Sequence, residues 1–288
     1  MKTSVSTYSF GGYMNTLGIE GIIRKSAELG FTGIEFVEGG WTKGLDVGYA
    51  KELNALCKEN GLTPVAYCTG ADFLSGSGGD LKAEVNRLHG QLDFAAALGV
   101  PNMRHDVCYG LSNRNGKKIG ISFDDVLPIL AEGCRETAAY AESIGLGTMT
   151  ENHGFFVQDA NRVEKLINTT AHPAFGALVD VGNFMCADET PCNSVSIMAR
   201  YAKHVHAKDF HYLSGKEECP TRGWFQTRGS NYLRGAIIGH GAVGVRQCIR
   251  ILRNAGYDGW VSVEFEGMED NILGITLGKE ALERYFAG

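Results

Sequence analysis

Four short segments in the second half of the chain each close an apolar run on a group that holds a cation or moves a proton. They are Thr148-Met149-Thr150-Glu151-Asn152-His153, Leu178-Val179-Asp180-Val181-Gly182-Asn183, His204-Val205-His206-Ala207-Lys208-Asp209 and Val261-Ser262-Val263-Glu264-Phe265-Glu266. Carboxylates and imidazoles are costly to bury unless they are paired, hydrogen-bonded or bound to a metal. Taken singly, each has a plainer explanation, a helix N-cap or surface charge for an acid and a satisfied core residue for a histidine. Taken together, three carboxylates and one histidine suit one fairly hard divalent cation, with Mn²⁺ first and Mg²⁺, Co²⁺ or Zn²⁺ as alternatives. Glu264 and Glu266 are two residues apart and share one face of a strand, so this pattern leaves open which of them is the fourth ligand.

The elements that would bring these groups together are announced by a repeated phrase. A helix-like segment ends on a glycine, an apolar residue follows, and a strand begins: Gly30, Gly61, Gly99, Gly145 and Gly256 all stand in this position. Glycine there enters the left-handed region without a Cβ clash and closes the helix. Spacings of 31, 38 and 46 residues between the first four match a helix, a strand and two loops. Eight strands are expected at 4–9, 32–37, 64–69, 102–106, 147–151, 176–180, 204–208 and 260–264. Apolar residues at three- and four-residue steps predict helices over Gly18–Leu29, Asp80–Leu98, Ser122–Ile144, Val157–Thr169 and Val243–Ala255. Strict alternation of this kind predicts an α/β fold, a (β/α)₈ TIM barrel, whose active site stands at the C-terminal ends of the strands. No G-x-G-x-x-G follows the first strand, which removes the main signature of a dinucleotide-binding alternative.

The chain has 288 residues, 44% of them apolar, and no Pro/Ser-rich linker, so one domain over 1–288 is expected. Eight cysteines without a C-x-x-C pair fit reduced thiols, Cys186 and Cys192 being the closest pair. The first residues carry no charged, apolar leader pattern, and the expectation is a cytoplasmic protein without a membrane partner. A net charge of −6 without a basic face argues against a nucleic-acid partner. A homo-oligomer stays open, because the long stretch Phe210–Gly241 fits a site cover and a subunit contact equally well.

The same segments, with Gly239-His240-Gly241 and Gly256-Tyr257-Asp258-Gly259-Trp260, resemble the ordered motifs of the sugar phosphate isomerase/epimerase family, a group of xylose isomerase-like barrels. That group includes ketose 3-epimerases, hydroxypyruvate isomerases, inosose dehydratases and, more distantly, an apurinic endonuclease. The resemblance spans nearly the whole chain and is best after residue 145. It implies metal ligation by Glu151, Asp180, His206 and Glu264, and a catalytic acid/base pair of Glu151 and Glu264 acting on a small sugar. One glutamate takes the proton beside a carbonyl, the metal holds the enediolate, and the other returns a proton, giving isomerisation or epimerisation. Two positions depart from the epimerase pattern: no arginine soon follows Glu151, and Asn183 stands where a histidine is expected.

Expected substrate contacts are His153, Lys208, Arg104, His105, His240 and Trp224, with Phe10, Trp41 and Phe225 as further aromatic cover. Lys208 should share the inward face with His206, leaving Asp209 outside. Glu35 and Glu38 reach the rim without an assigned role. The nearest rival is a dehydratase or lyase on an inosose-like or oxidised sugar, in which the same base and metal expel a β-hydroxyl. A nuclease would need further ligands from earlier strands, for which only His105 and Glu38 offer themselves. A barrel that binds a sugar without turning it over is the non-enzymatic alternative.

Overall fold

The computed structural model describes residues 1–109 and 122–288. Eight parallel strands close into a barrel: β1 (Lys2–Ser6), β2 (Gly33–Val37), β3 (Thr63–Thr69), β4 (Asn102–His105), β5 (Gly147–Glu151), β6 (Phe175–Asp180), β7 (Ala202–Ala207) and β11 (Trp260–Val263). The order around the barrel is β1-β11-β7-β6-β5-β4-β3-β2. Helices α1 (Tyr13–Glu28), α2 (Val47–Glu59), α3 (Leu81–Leu98), α4 (Phe123–Ser143), α5 (Ala160–Thr170), α6 (Pro191–Met198), α7 (Val245–Asn254) and α8 (Asn271–Ala287) follow the strands in turn. None of the described helices is long and apolar enough to cross a membrane.

The five glycines of the repeat have φ between 71° and 89°, the left-handed geometry their position requires. Helix starts are set by short acidic or hydroxyl side chains. Asp46, Asp80, Asp159 and Asp270 each accept from backbone N–H groups of the first turn, and Ser122 forms a reciprocal capping box with Asp125. The Asp159 cap moves the start of α5 to Ala160, three residues later than the apolar periodicity predicts. At the same end of the barrel, β1 stops at Ser6 rather than residue 9. The Ser9 hydroxyl donates to the Val263 carbonyl and accepts from the Phe265 N–H, which folds residues Thr7–Phe10 into a 3₁₀ turn beside β11.

The stretch after β7 is not an irregular loop. It builds a three-stranded antiparallel sheet, β8 (Asp209–Leu213), β9 (Phe225–Gln226) and β10 (Tyr232–Ala236), in the order β8-β10-β9. Asp209 anchors it: its carboxylate accepts from the N–H groups of Phe210, Gly239, Gly241 and Val243 at 2.8–3.1 Å. None of the eight cysteines forms a disulfide; Cys192 lies 3.8 Å from Cys248 rather than beside Cys186.

Parallel pairing aligns the inward residues in layers. Cys68, Arg104 and Met149 lie side by side on β3, β4 and β5, and Leu178 pairs with His204. Two residues further on, the next inward positions are Glu151, Asp180 and His206, while Ser262 pairs with His206 and precedes Glu264 by two. The period of two along four neighbouring strands is what gathers the polar groups at one end.

Candidate active site

At the C-terminal end of β5, β6, β7 and β11, one ligand atom each from Glu151, Asp180, His206 and Glu264 lies within 4.8 Å of the other three. All four residues are buried. His206 Nδ1 is 3.2 Å from Glu264 and 3.8 Å from both Glu151 and Asp180. His206 Nδ1, Asp180 Oδ2 and Glu264 Oε2 are fully buried atoms that make ion-pair contacts with one another or with Lys208 but no well-aligned hydrogen bond. Such atoms are expensive unless something compensates them. Burial alone would favour the neutral imidazole of His206, yet the carboxylates of Glu264 and Glu35 push its pKa well above the usual value. Lys208 is likewise disfavoured by burial and pushed up by Asp180, Glu264 and Glu266. Three carboxylates and one imidazole converge here, a donor set that one hard divalent cation would complete.

The surroundings fix each ligand. Glu151 receives Arg104 Nη2 at 2.6 Å on one oxygen and Asn183 Nδ2 at 2.8 Å on the other. Asp180 Oδ1 accepts from the N–H groups of Gly182 and Asn183, leaving Oδ2 to the cluster. Below the site, His206 Nε2 meets Glu35 at 2.6 Å, and His204 Nε2 meets the same oxygen at 2.9 Å. Glu35 is fully buried on β2, and burial is outweighed there by the two histidines, which hold its carboxyl far below the usual carboxylate range. This is the carboxylate–histidine arrangement that orients a metal-binding ring. Cys68 also approaches His206 and Glu35, but burial pushes its thiol up to about 12, so it stays a neutral neighbour.

Lys208 points inward as expected, with Nζ 2.7 Å from Glu264, 3.2 Å from Asp180 and 3.5 Å from Glu266. Glu266 stands beside the cluster, its pKa raised first by burial and opposed by Lys208, and Tyr8 donates to it at 3.4 Å. His153 faces the same cavity with Nδ1 3.1 Å from Asp106. Asp106 also takes Arg104 and the Tyr109 hydroxyl, so Arg104 braces Glu151 and Asp106 instead of standing free for a ligand.

Three expected contacts lie elsewhere. His105 follows the inward Arg104 by one residue, so strand alternation turns it outward. It is fully buried between Phe73 and Phe175, with Nδ1 2.8 Å from the Asp106 carbonyl, and burial lowers its pKa to about 4. His240 is exposed at the tip of the turn whose glycine N–H groups clamp Asp209; Gly239-His240-Gly241 serves the anchor of the small sheet. Trp224 is half-buried under the Arg234 guanidinium, while its neighbour Phe225 lines an extension of the cavity. Phe10 is core, and Trp41 lines a separate compartment. The reading of residue types overlooked Asp106 and Tyr8 altogether and gave Glu35 no role. A carboxylate at an inward position in the middle of a barrel strand, as in Gly33-Ile34-Glu35-Phe36-Val37, was the available signal.

A family model described as xylose isomerase-like TIM barrel matches residues 23–285. Among curated proteins, the chain is 27% identical over 147 residues to an inosose dehydratase of Lacticaseibacillus casei, covering 50% of this chain and 48% of that one. A second inosose dehydratase, of Clostridium beijerinckii, is 27% identical over 139 residues, covering 48% and 46%. The match spans about half the length of these relatives. Among solved structures, a probable 3-DHS dehydratase from Bacillus anthracis superposes with a TM-score of 0.75 at 18% identity, covering 98% of this chain and 99% of that one. A D-psicose 3-epimerase from Clostridium cellulolyticum H10 gives 0.72 at 17%, covering 100% and 99%. A xylose isomerase-like barrel from Mycobacterium smegmatis in complex with magnesium gives 0.73 at 18%, covering 99% and 96%. Likeness at these identities is a likeness of fold.

Proposed function

The chain belongs to the xylose isomerase-like TIM-barrel family, and from that premise we propose that it is a metal-dependent dehydratase: it removes the proton beside the carbonyl of a polyhydroxylated ketone and expels the neighbouring hydroxyl as water. Glu151, Asp180, His206 and Glu264 would hold the cation, with Mn²⁺ or Mg²⁺ suited to three carboxylates and one imidazole. Such an ion supplies Lewis-acid stabilisation of the oxyanion charge that develops on the substrate.

The observation that carries the reading is the 2.7 Å contact between Lys208 Nζ and Glu264. A base and an acid stand side by side. Glu264 takes the proton from carbon, and the C–H electrons move towards the carbonyl. Lys208 gives its proton to the departing β-hydroxyl as the C–O bond breaks, and then recovers one from Glu264. Water is the only product lost, and both side chains return to their starting forms. Epimerisation instead needs a second group free to return a proton to the opposite face of the same carbon. Glu151, the only candidate in the four-ligand set, has both oxygens engaged by Arg104 and Asn183.

Isomerisation or epimerisation follows from the same first step if Glu151 does return the proton. Its place on β5, three strands round the barrel from Glu264, favours delivery from another side. Incubating the Mn²⁺-supplemented protein with inososes and ketoses in D₂O, and reading product mass with C–H exchange, separates the two. Loss of one water mass is the expected result. Exchange with mass conserved apart from deuterium would replace dehydration by isomerisation.

A further inference from the structure

The mouth of the barrel has a second compartment whose walls differ in kind. It lies between the segments that follow β1 and β2, encloses about 480 Å³, and shares Tyr8 and Val37 with the catalytic cavity of about 180 Å³. Met14, Ile19, Val37 and Trp41 form its apolar lining. Trp41 is a fixed wall. Its ring N–H donates to the Val37 carbonyl at 2.9 Å, and its ring packs against Phe36 and Phe94 with centroids 5.7 and 6.0 Å away. Glu38, the one carboxylate on this wall, already accepts from the Thr69 hydroxyl and from Gln91. No lysine or arginine stands among the described lining residues. At Gly40 a side chain would meet nothing within 4 Å, so the space over that residue is open.

The opposite extension of the catalytic cavity, about 320 Å³, sets Gln158, Asn183, Lys208, Gln226 and Glu266, which match hydroxyls, beside Phe155 and Phe225. A ligand spanning the mouth would therefore meet Gln158, Asn183 and Gln226 on one side and the Trp41, Met14, Ile19 and Val37 wall on the other, where Glu38 is the one charged group. A phosphate or carboxylate on that side would meet no lysine or arginine and would stand near the Glu38 carboxylate. An apolar group there would leave water for an apolar wall, which is favourable in proportion to the area removed.

We infer that this chamber is a substrate subsite: the polyhydroxylated ring bound over the metal-ligand cluster carries a flat apolar substituent that packs against Trp41, Met14 and Ile19. The natural substrate is then glycoside-like, a sugar-type ring joined to an aromatic or comparably apolar group, in place of a free or phosphorylated sugar. This rests on the proposed reaction and narrows its substrate.

The test is calorimetric titration of the Mn²⁺-loaded protein with phenyl β-D-glucoside against methyl β-D-glucoside, in wild type, Gly40→Phe and Trp41→Ala. The phenyl glycoside should bind at least about tenfold more tightly than the methyl one. Gly40→Phe, which places a ring at a residue lining the chamber, should remove that preference while methyl glycoside affinity and Mn²⁺ stoichiometry hold; Trp41→Ala should reduce it and serves as the second variant should Gly40→Phe not fold. Equal affinity for the two glycosides in wild type, failure of the phenyl glycoside to bind, or a preference that survives both substitutions would overturn the subsite. Because binding is read without turnover, a phenyl preference with no dehydration of any ketone would sink the reaction and keep the subsite. Dehydration without the preference would do the reverse.

Discussion

The two arcs of the barrel mouth are built from the same alternating strands and do opposite work. From β5 through β6 and β7 to β11, each strand end projects an ionisable group into one small volume, and Lys208 and Arg104 are drawn into the same network. From β1 to β3 the corresponding wall is Tyr8, Val37 and the chamber of Trp41, while its one deeply buried acid, Glu35, faces down and across to His206. The contrast teaches that the charged arc is not self-sufficient. Its histidine is aimed by a carboxylate from the other arc, and its apolar partner surface selects what can lie over it.

Removing groups from the charged arc should have the largest effects. Glu264→Gln takes away the proposed base and one ligand together, and turnover should fall by at least about 10³-fold in a steady-state assay, with weaker Mn²⁺ binding by calorimetry. Lys208→Met sharpens the assignment of roles. Water release should drop by about 10²–10⁴-fold while solvent exchange at the carbon beside the carbonyl persists. If exchange and water release disappear in equal measure, Lys208 is not the acid that serves the leaving group.

Crossing to the other arc, Glu35→Gln leaves all four ligands in place, yet Mn²⁺ affinity should weaken by about 10–100-fold because the ring of His206 loses its carboxylate partner. Unchanged affinity would make the two arcs independent. A separate effect concerns stability at His105, which is outside the site. Burial lowers its pKa to about 4 from an unfolded value near 6.5, so the unfolded chain binds the extra proton between those values. Stability should accordingly fall as pH drops from about 6.5 towards 4, by about 3 kcal/mol in all. In urea titrations across that window, His105→Gln should flatten the slope.

The charged arc was legible in the sequence because a single inward position per strand, spaced by two from its neighbours, announces itself when an acid or imidazole ends an apolar run. Lys208 was read correctly as inward and Asp209 as outward by the same rule. That rule also turns His105 outward after Arg104, against its expectation as a substrate contact. The glycine-capped repeat placed five of the eight barrel strands and apolar runs outside its copies placed the other three, whereas the small sheet after β7 did not show, since its short strands pair across an intervening loop and leave no long alternation. The apolar arc was the least legible. Trp41, Met14 and Val37 are types found in any core, and only the tertiary arrangement makes them walls of a chamber.

The most direct test of the metal cluster is calorimetric titration of Mn²⁺ into the metal-free protein, wild type beside Asp180→Asn. Asp180 is a proposed ligand without a proton-transfer role in the proposed reaction, so its substitution isolates binding. The account predicts about one ion per chain in wild type and a loss of at least about tenfold in affinity in the variant. No binding by a folded wild-type protein, or an affinity indifferent to Asp180→Asn, would contradict it.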